Sequence, residues 1–123
     1  MKEKIVKELK RLKIFDKTNF IILYGSQAKG TSTTLSDVDI CLSFLLPKKE
    51  RFHFRLKLLS SLPERYDIHV FEDLPLYVQK EVLGGKLLYC KDKEKLIERA
   101  LEIIREFEDF ELIYNMYVER SAV

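Results

Sequence analysis

Hydrophobic and polar residues along the chain recur with two different periods, which predict where helices and strands lie. Apolar residues at helical spacing alternate with runs that are apolar throughout or at every second position. The predicted elements, in order, are a helix over residues 2–13, strands over 20–24 and 37–46, a helix beginning at Pro47, a strand over 65–71, a helix over 75–83, an edge strand over 86–89 and a helix over about 93–119. This order predicts an α/β (α+β) fold with a mixed β-sheet of four to five strands, packed helices and a long C-terminal helix.

The predicted C-terminal helix changes character along its length. Its first half repeats apolar residues at helical spacing, which predicts a buried stripe made of Leu96, Ile97, Ala100, Leu101, Ile104 and Phe107. Residues 110–118 then place apolar and aromatic side chains on nearly every face, more than one domain surface can bury. Two interpretations stay open: the helix bends back onto the body, or it contacts a partner or a second copy of the chain.

The stretch between the first two strands carries the candidate chemistry. Gly25 permits a tight turn and close approach to a ligand, and the Ser26 hydroxyl with the amides after it can hold phosphate oxygens. Asp37 and Asp39 lie two residues apart at the start of the second strand, so both carboxylates point to the same face. Oxygen ligands of this kind favour a hard divalent cation such as Mg²⁺ or Mn²⁺, which predicts a site for a metal-bound triphosphate.

Several further residues are secondary candidates. Asp67 is a carboxylate inside a strand of alternating polarity, where burying a charged group costs free energy and therefore suggests a functional role. Glu72 and Asp73 lie close by in the sequence and are competing candidates. Lys29 beside the turn is a candidate phosphate contact or a solvated charge, and Ser36 is a turn former or a ligand contact. His69 shares the face of Asp67 and could reach an acceptor, or could be an ordinary exposed histidine.

The arrangement Gly25-Ser26, ten residues, then Asp37-x-Asp39, with an apolar strand on each side, resembles the signature of the DNA polymerase beta-like nucleotidyltransferase superfamily. The short chain is most similar to its minimal nucleotidyltransferase (MNT) group. Relatives often carry arginine where this chain has Gln27 and Lys29. This difference affects how tightly the phosphates would be bound and leaves the acidic residues unchanged.

The resemblance implies a single nucleotidyltransferase domain over residues 1–123, with Asp67 as the third acidic residue. Asp37, Asp39 and Asp67 would then be catalytic and hold two Mg²⁺ ions, while Gly25, Ser26, Lys29 and Ser36 would bind the nucleotide. The implied reaction transfers a nucleoside monophosphate, AMP from ATP, to a hydroxyl group and releases pyrophosphate.

The resemblance also implies a partner. Relatives of this size often pair with a small helical HEPN-domain protein, as an antitoxin that adenylylates the toxin. Aminoglycoside-like small molecules remain possible acceptors, and a non-catalytic module that binds a nucleotide or a partner is the alternative class of function.

Composition narrows the remaining possibilities. The 22 basic and 20 acidic residues give a net charge of +2, which makes a nucleic-acid polymer an improbable acceptor. The first fifteen residues carry charge in every turn, so we expect neither a signal peptide nor a membrane span, and a cytoplasmic location. Cys41 and Cys90 lack zinc-binding spacing and are predicted to be free thiols.

Overall fold

A computed structural model of the chain describes residues 1–25 and 37–121, and these form a four-stranded sheet with helices on both faces. The elements are α1 (Lys2–Arg11), β1 (Thr18–Tyr24), β2 (Val38–Phe44), α2 (Lys48–Ser61), β3 (Tyr66–Val70), α3 (Leu76–Leu83), β4 (Lys86–Cys90) and α4 (Lys93–Ser121). Short 3₁₀ turns, Phe15–Lys17 and Phe71–Asp73, precede β1 and follow β3. The predicted mixed sheet and long final helix are confirmed.

The strand order β3-β2-β1-β4 places the candidate site across three neighbouring strands, from β1 to the edge strand β3. β1 is antiparallel to both β2 and β4, whereas β2 and β3 are parallel and are joined through α2. The end of β1 therefore lies beside the beginnings of β2 and β3, at the edge of the sheet that is formed by these strand ends. Gly25, Asp39 and Asp67 lie at that edge, on three successive strands.

Two apolar cores sandwich the sheet, because alternate strand residues face opposite sides. One core joins β2 and β3, through residues such as Val38, Ile40 and Ile68, to Leu9 of α1 and Leu58 of α2. The second core lies on the opposite face and joins the sheet to α3 and α4; its buried members are Phe20, Ile22, Cys41, Phe71, Val82 and Ile103. The acidic residues of β2 and β3 share the second face, at its polar end.

The observed boundaries differ from the predicted ones by a few residues. β1 begins two residues before the predicted start, and these two residues, Thr18 and Asn19, are buried although they are polar. The Thr18 hydroxyl donates a hydrogen bond from Oγ1 to Ile14 O at 2.9 Å. Pro47 and Pro75 precede α2 and α3 as N-caps rather than lying in the first turn. The Asp92 side chain accepts a hydrogen bond from Lys95 N at 3.2 Å, so it caps α4.

The buried face of α4 is only partly the predicted one. Ile103 is fully buried and Leu96, Ala100 and Phe107 are partly buried, which defines the stripe that faces the body. The prediction was wrong for three residues, since the side chains of Ile97, Leu101 and Ile104 are exposed. These residues lie at helical spacing on a neighbouring face, and α3 covers the other stripe.

The second half of α4 remains uncovered by the described residues. Its 29 residues form one continuous helix about 43 Å long, so it does not bend back onto the body within the described range. Its exposed apolar side chains beyond Phe107 are Phe110, Leu112, Ile113, Tyr114, Met116 and Val118. We call these six residues the α4 tail. The tail continues the body-facing stripe through Phe110 and Tyr114, whose rings stack with centroids 6.4 Å apart.

No helix in the described ranges is long and apolar enough to cross a membrane. Both cysteines are free thiols, as predicted. Cys41 is buried in the second core, and Cys90 lies at the end of β4, partly exposed.

Candidate active site

Gly25 ends β1 in a conformation that brings the backbone against an acidic side chain. Its φ of +75° is one that other L-amino acids rarely adopt. A β-carbon at this position would run into Oδ2 of Asp39 and lie 3.3 Å from its Cγ. The Asp39 carboxylate can therefore occupy this position only because residue 25 has no side chain. Ser26, Lys29 and Ser36 lie outside the described residues.

Asp39 and Asp67 are direct neighbours across the parallel pairing of β2 and β3. Both are partly buried, whereas Asp37, one residue before β2, is exposed. The pKa of the Asp39 carboxyl is raised, first by burial, then by the negative charge of Asp67 and, less strongly, of Asp37; His69 opposes this shift. The carboxylates that sequence predicted as a group are thus close enough for their charges to interact.

His69 is hydrogen-bonded to Asp67 on the same face of β3, with 2.8 Å between Nε2 and Oδ2. When Asp67 is ionised its oxygen can only accept, so His69 carries the proton on Nε2 and donates it. This contact fixes one oxygen of the Asp67 carboxylate. The sequence pointed to it, because strand alternation places residues 67 and 69 on one face.

The other acids near Asp67 in sequence are held elsewhere. Glu72 accepts hydrogen bonds from Ser43 Oγ at 2.6 Å and from Phe44 N at 2.9 Å, at the far end of β2. Asp73 forms an ion pair with Arg51, with 2.7 Å between Oδ1 and Nη2. Of the three acids that could accompany the Asp37 and Asp39 pair, Asp67 is the one at the site.

Two site residues were missed by sequence reasoning. Tyr24 pairs with Asp39 across β1 and β2, and its ring meets that of His69 edge-on at 6.3 Å between centroids. The pKa of Tyr24 is raised by burial and by nearby negative charges, among them Asp39 and Asp67, so its hydroxyl stays protonated and can donate. Glu81 of α3 is exposed, and its charge contributes to the raised pKa values of both Tyr24 and Asp39. No sequence pattern ties either residue to the acidic group.

The donor set at this edge consists of carboxylate oxygens, the ligands that Mg²⁺ and Mn²⁺ prefer. Within residues 1–25 and 37–121, no three Asp, Glu, His or Cys side chains are arranged closely enough to hold a metal ion. The described site therefore consists of the Asp39 and Asp67 pair, the Gly25 turn beside it and Asp37 at its solvent side. It can bind a cation, accept a proton, and donate hydrogen bonds through Tyr24.

A family model described as "Polymerase beta, Nucleotidyltransferase" matches residues 3–94 of the chain. This range includes the Gly25 turn and all three aspartates, and it ends at the start of α4. A candidate protein adenylyltransferase of Methanocaldococcus jannaschii is 36% identical over 91 residues, which cover 74% of this chain and 70% of the relative.

Solved structures of toxin–antitoxin complexes contain chains with a similar fold. One complex, crystallised with AMP-PNP, has a chain that aligns with a TM-score of 0.73 and 22% identity, covering 99% of this chain and 98% of that one. A second contains a tri-AMPylated Shewanella oneidensis HEPN toxin bound to an MNT antitoxin; it aligns with a TM-score of 0.65 and 18% identity over the whole of both chains. At these identities the likeness concerns the fold.

Proposed function

The chain belongs to the polymerase beta nucleotidyltransferase family, and on that premise we propose that it transfers AMP from ATP to a hydroxyl group of a protein. The acceptor oxygen would form a bond to the α-phosphorus, the bond between that phosphorus and the β-phosphate oxygen would break, and pyrophosphate would leave. The family predicted from the Gly25-Ser26 and Asp37-x-Asp39 pattern is confirmed. The choice of a protein as acceptor draws on the M. jannaschii relative.

The observation that carries this proposal is the pairing of Asp39 with Asp67 beside the Gly25 turn. Two carboxylates on adjacent strands repel each other, and a fold retains such a pair where binding of a cation or a proton is useful. The glycine turn next to them allows a phosphate chain to come close to the backbone. Metal-assisted transfer of a nucleotidyl group needs both features together.

Asp37, Asp39 and Asp67 would hold two Mg²⁺ ions. The chemistry of the donors fits, because carboxylate oxygens on two adjacent strands suit this ion and because Gly25 keeps the space around Asp39 open. The three carboxylates, which are not clustered tightly enough in the described structure, would draw together around the ions. Bound there, the ions would stabilise charge on the triphosphate and lower the pKa of the acceptor hydroxyl.

The protein side chains would divide the remaining work. Gly25 and Ser26, with Lys29 and Ser36, would bind the phosphates. Asp67 lies on the strand farthest from Gly25 and would take the proton of the acceptor hydroxyl, while His69 holds its other oxygen in place. Tyr24, whose hydroxyl stays protonated, would donate a hydrogen bond near Asp39.

We propose further that the partner and acceptor is a HEPN-type protein, as in the similar toxin–antitoxin complex with an AMPylated toxin. The α4 tail supports a protein partner, since six large apolar side chains remain exposed there and tyrosine and methionine are favoured at interface cores. A homodimer through the same tail is the competing assembly.

The alternative function is a module that binds a nucleotide or a partner without turnover. The same α4 tail favours it equally, because an exposed apolar surface indicates that a partner binds there and does not indicate whether a reaction follows. The two functions differ in one product, an acceptor that carries AMP.

The test is calorimetric titration of ATP, GTP, CTP and UTP with and without Mg²⁺, followed by transfer assays with α-labelled ATP and the protein that co-purifies with the chain. We expect Mg²⁺-dependent ATP binding, and label on the partner, and we expect the Asp37→Ala, Asp39→Ala double variant to lose both. A partner that binds but gains no label would reject the transferase function in favour of the binding module.

A further inference from the structure

A groove of about 280 Å³ runs along the outer edge of β3, outside the acidic site. Its walls come from the N-terminal part of α2, including Lys48, Phe52 and Arg55, and from the end of β3 and the turn after it. β3 is an edge strand, so the groove opens to solvent on the side where the described sheet ends. Nothing in the proposed binding of the triphosphate uses this groove.

His69 connects the groove to the site. It lines the groove, and its Nε2 lies 2.8 Å from Oδ2 of Asp67. One end of the groove is therefore a single hydrogen bond away from the carboxylate that would take the acceptor proton.

The groove and the glycine turn lie on opposite sides of the acidic pair. Gly25 follows β1, Asp39 lies on β2 and Asp67 on β3, and the groove lies beyond β3. A molecule in the groove thus approaches Asp67 from the side away from the phosphates. Attack opposite the leaving pyrophosphate would need the acceptor and the triphosphate to approach the α-phosphorus from different sides.

The charge in the groove is positive. Its one carboxylate, Asp73, is compensated by two hydrogen bonds from Arg51, at 2.7 and 3.2 Å. Lys48 and Arg55 remain, and Arg55 is fixed at the strand edge because its Nε donates to Ile68 O at 2.7 Å. A carboxylate in the occupant would be complementary to this pair.

The groove also offers an apolar surface. Phe52 exposes 59% of its area although it is a large aromatic residue on a helix that has an apolar core beneath it. Val70 and Leu74 complete the apolar part of the lining. Phosphates alone would not use this surface, whereas a polypeptide segment would use it together with the positive charge.

We propose that this groove binds a segment of the acceptor protein, with an apolar side chain on Phe52 and a carboxylate beside Lys48 and Arg55, so that a hydroxyl in the segment reaches Asp67. The inference deepens the proposed function and rests on it for the identity of the acceptor. It assigns to the groove the selection of which hydroxyl is modified.

The test measures acceptor binding and ATP binding separately in Lys48→Glu and Phe52→Ala variants, using as the acceptor the co-purifying protein of the transfer assay. Both side chains are exposed, so we expect both variants to fold. We expect KM for the acceptor to rise at least about tenfold, with kcat and the Kd for ATP unchanged. Lys49→Glu and Lys57→Glu change exposed lysines of α2 that do not line the groove, and serve as matched controls.

A photo-crosslinking residue, p-benzoylphenylalanine, at position 52 gives a readout that does not need turnover. We expect it to crosslink to the acceptor within a few residues of the adenylylated hydroxyl. A crosslink to a remote segment, weaker ATP binding in the groove variants, or equal effects of the control variants would each overturn the inference. If the acceptor binds and crosslinks here but is never adenylylated, the transferase function fails while the groove stands as a docking site.

Discussion

The carboxylate of Asp39 occupies the space that a side chain at position 25 would need. This contact joins the turn proposed to bind phosphate to the acidic pair proposed to bind metal. A change at one therefore displaces the other.

Gly25→Ala should abolish Mg²⁺-dependent ATP binding. The new β-carbon would collide with Asp39, and the positive φ would cost about 1–2 kcal/mol of folding free energy. Calorimetry and urea unfolding measure the two effects. Gly84→Ala is the matched control, because a β-carbon there would lie 3.4 Å from Glu81 O, an ordinary contact distance, and its φ is −82°. Equal ATP affinity in Gly25→Ala and wild type would remove the glycine turn from the site.

Asp39→Asn should be more stable than wild type near neutral pH in the absence of divalent cations. The pKa of Asp39 is raised by burial and by Asp67, so folding favours its protonated form. The corresponding stability is complete below the ordinary carboxyl pKa of about 3.9 and is lost as pH rises through the raised value. The advantage of the amide should therefore disappear in acid.

Urea unfolding of both proteins between acid and neutral pH measures this difference. The exposed residue Asp16 provides the control, and Asp16→Asn should follow wild type throughout. An advantage of Asp39→Asn that is independent of pH would exclude the titration of Asp39 as its cause.

In the transfer assay the same substitution, Asp39→Asn, should lower the rate at least about 100-fold.

His69→Ala should lower AMP transfer about 10–100-fold, because Asp67 loses the hydrogen bond that orients its carboxylate. His69→Gln can still donate a hydrogen bond and should recover part of the rate. Mn²⁺ binding followed by electron paramagnetic resonance gives a second readout and should weaken in the same order. His53→Ala changes an exposed histidine of α2 and should have no effect. Equal loss in the Ala and Gln variants would argue against an orienting hydrogen bond.

Phe110→Glu combined with Tyr114→Glu should weaken assembly at least about tenfold without destabilising the chain. The two side chains are 62% and 58% exposed, so the free energy of unfolding should change by no more than about 0.5 kcal/mol. Ile103→Ala on the buried stripe of the same helix should instead cost about 2–4 kcal/mol. Light scattering and titration of the partner measure assembly. Unchanged assembly in the double variant would exclude the α4 tail as the interface.

The sequence predicted the elements well because most of them combine one dominant period with a clear end signal. α4 is the exception, since two apolar stripes overlap on it. Leu96, Ala100 and Ile103 form one and Ile97, Leu101 and Ile104 form the other, and both have helical spacing. Which stripe is buried depends on where α3 lies, and that is a tertiary relationship that no local pattern contains.

The site was predictable where strand alternation decides it. Alternation put Asp37 with Asp39 and Asp67 with His69, but it could not fix the register of β2 against β3, which pairs Asp39 with Asp67. It also could not exclude Glu72, which is held by Ser43 and the Phe44 amide. Tyr24 joins the site through its antiparallel pairing with Asp39, another contact between distant parts of the sequence.

The position of β3 at the edge of the sheet has a consequence for how the protein loses activity on heating. In the described sheet β3 pairs with β2 alone, through a parallel crossover. Edge strands also open locally at a lower free energy than central ones. We expect warming to release β3, and Asp67 with it, while β1 and β2 stay paired, so that inactivation precedes the melting of the rest of the domain.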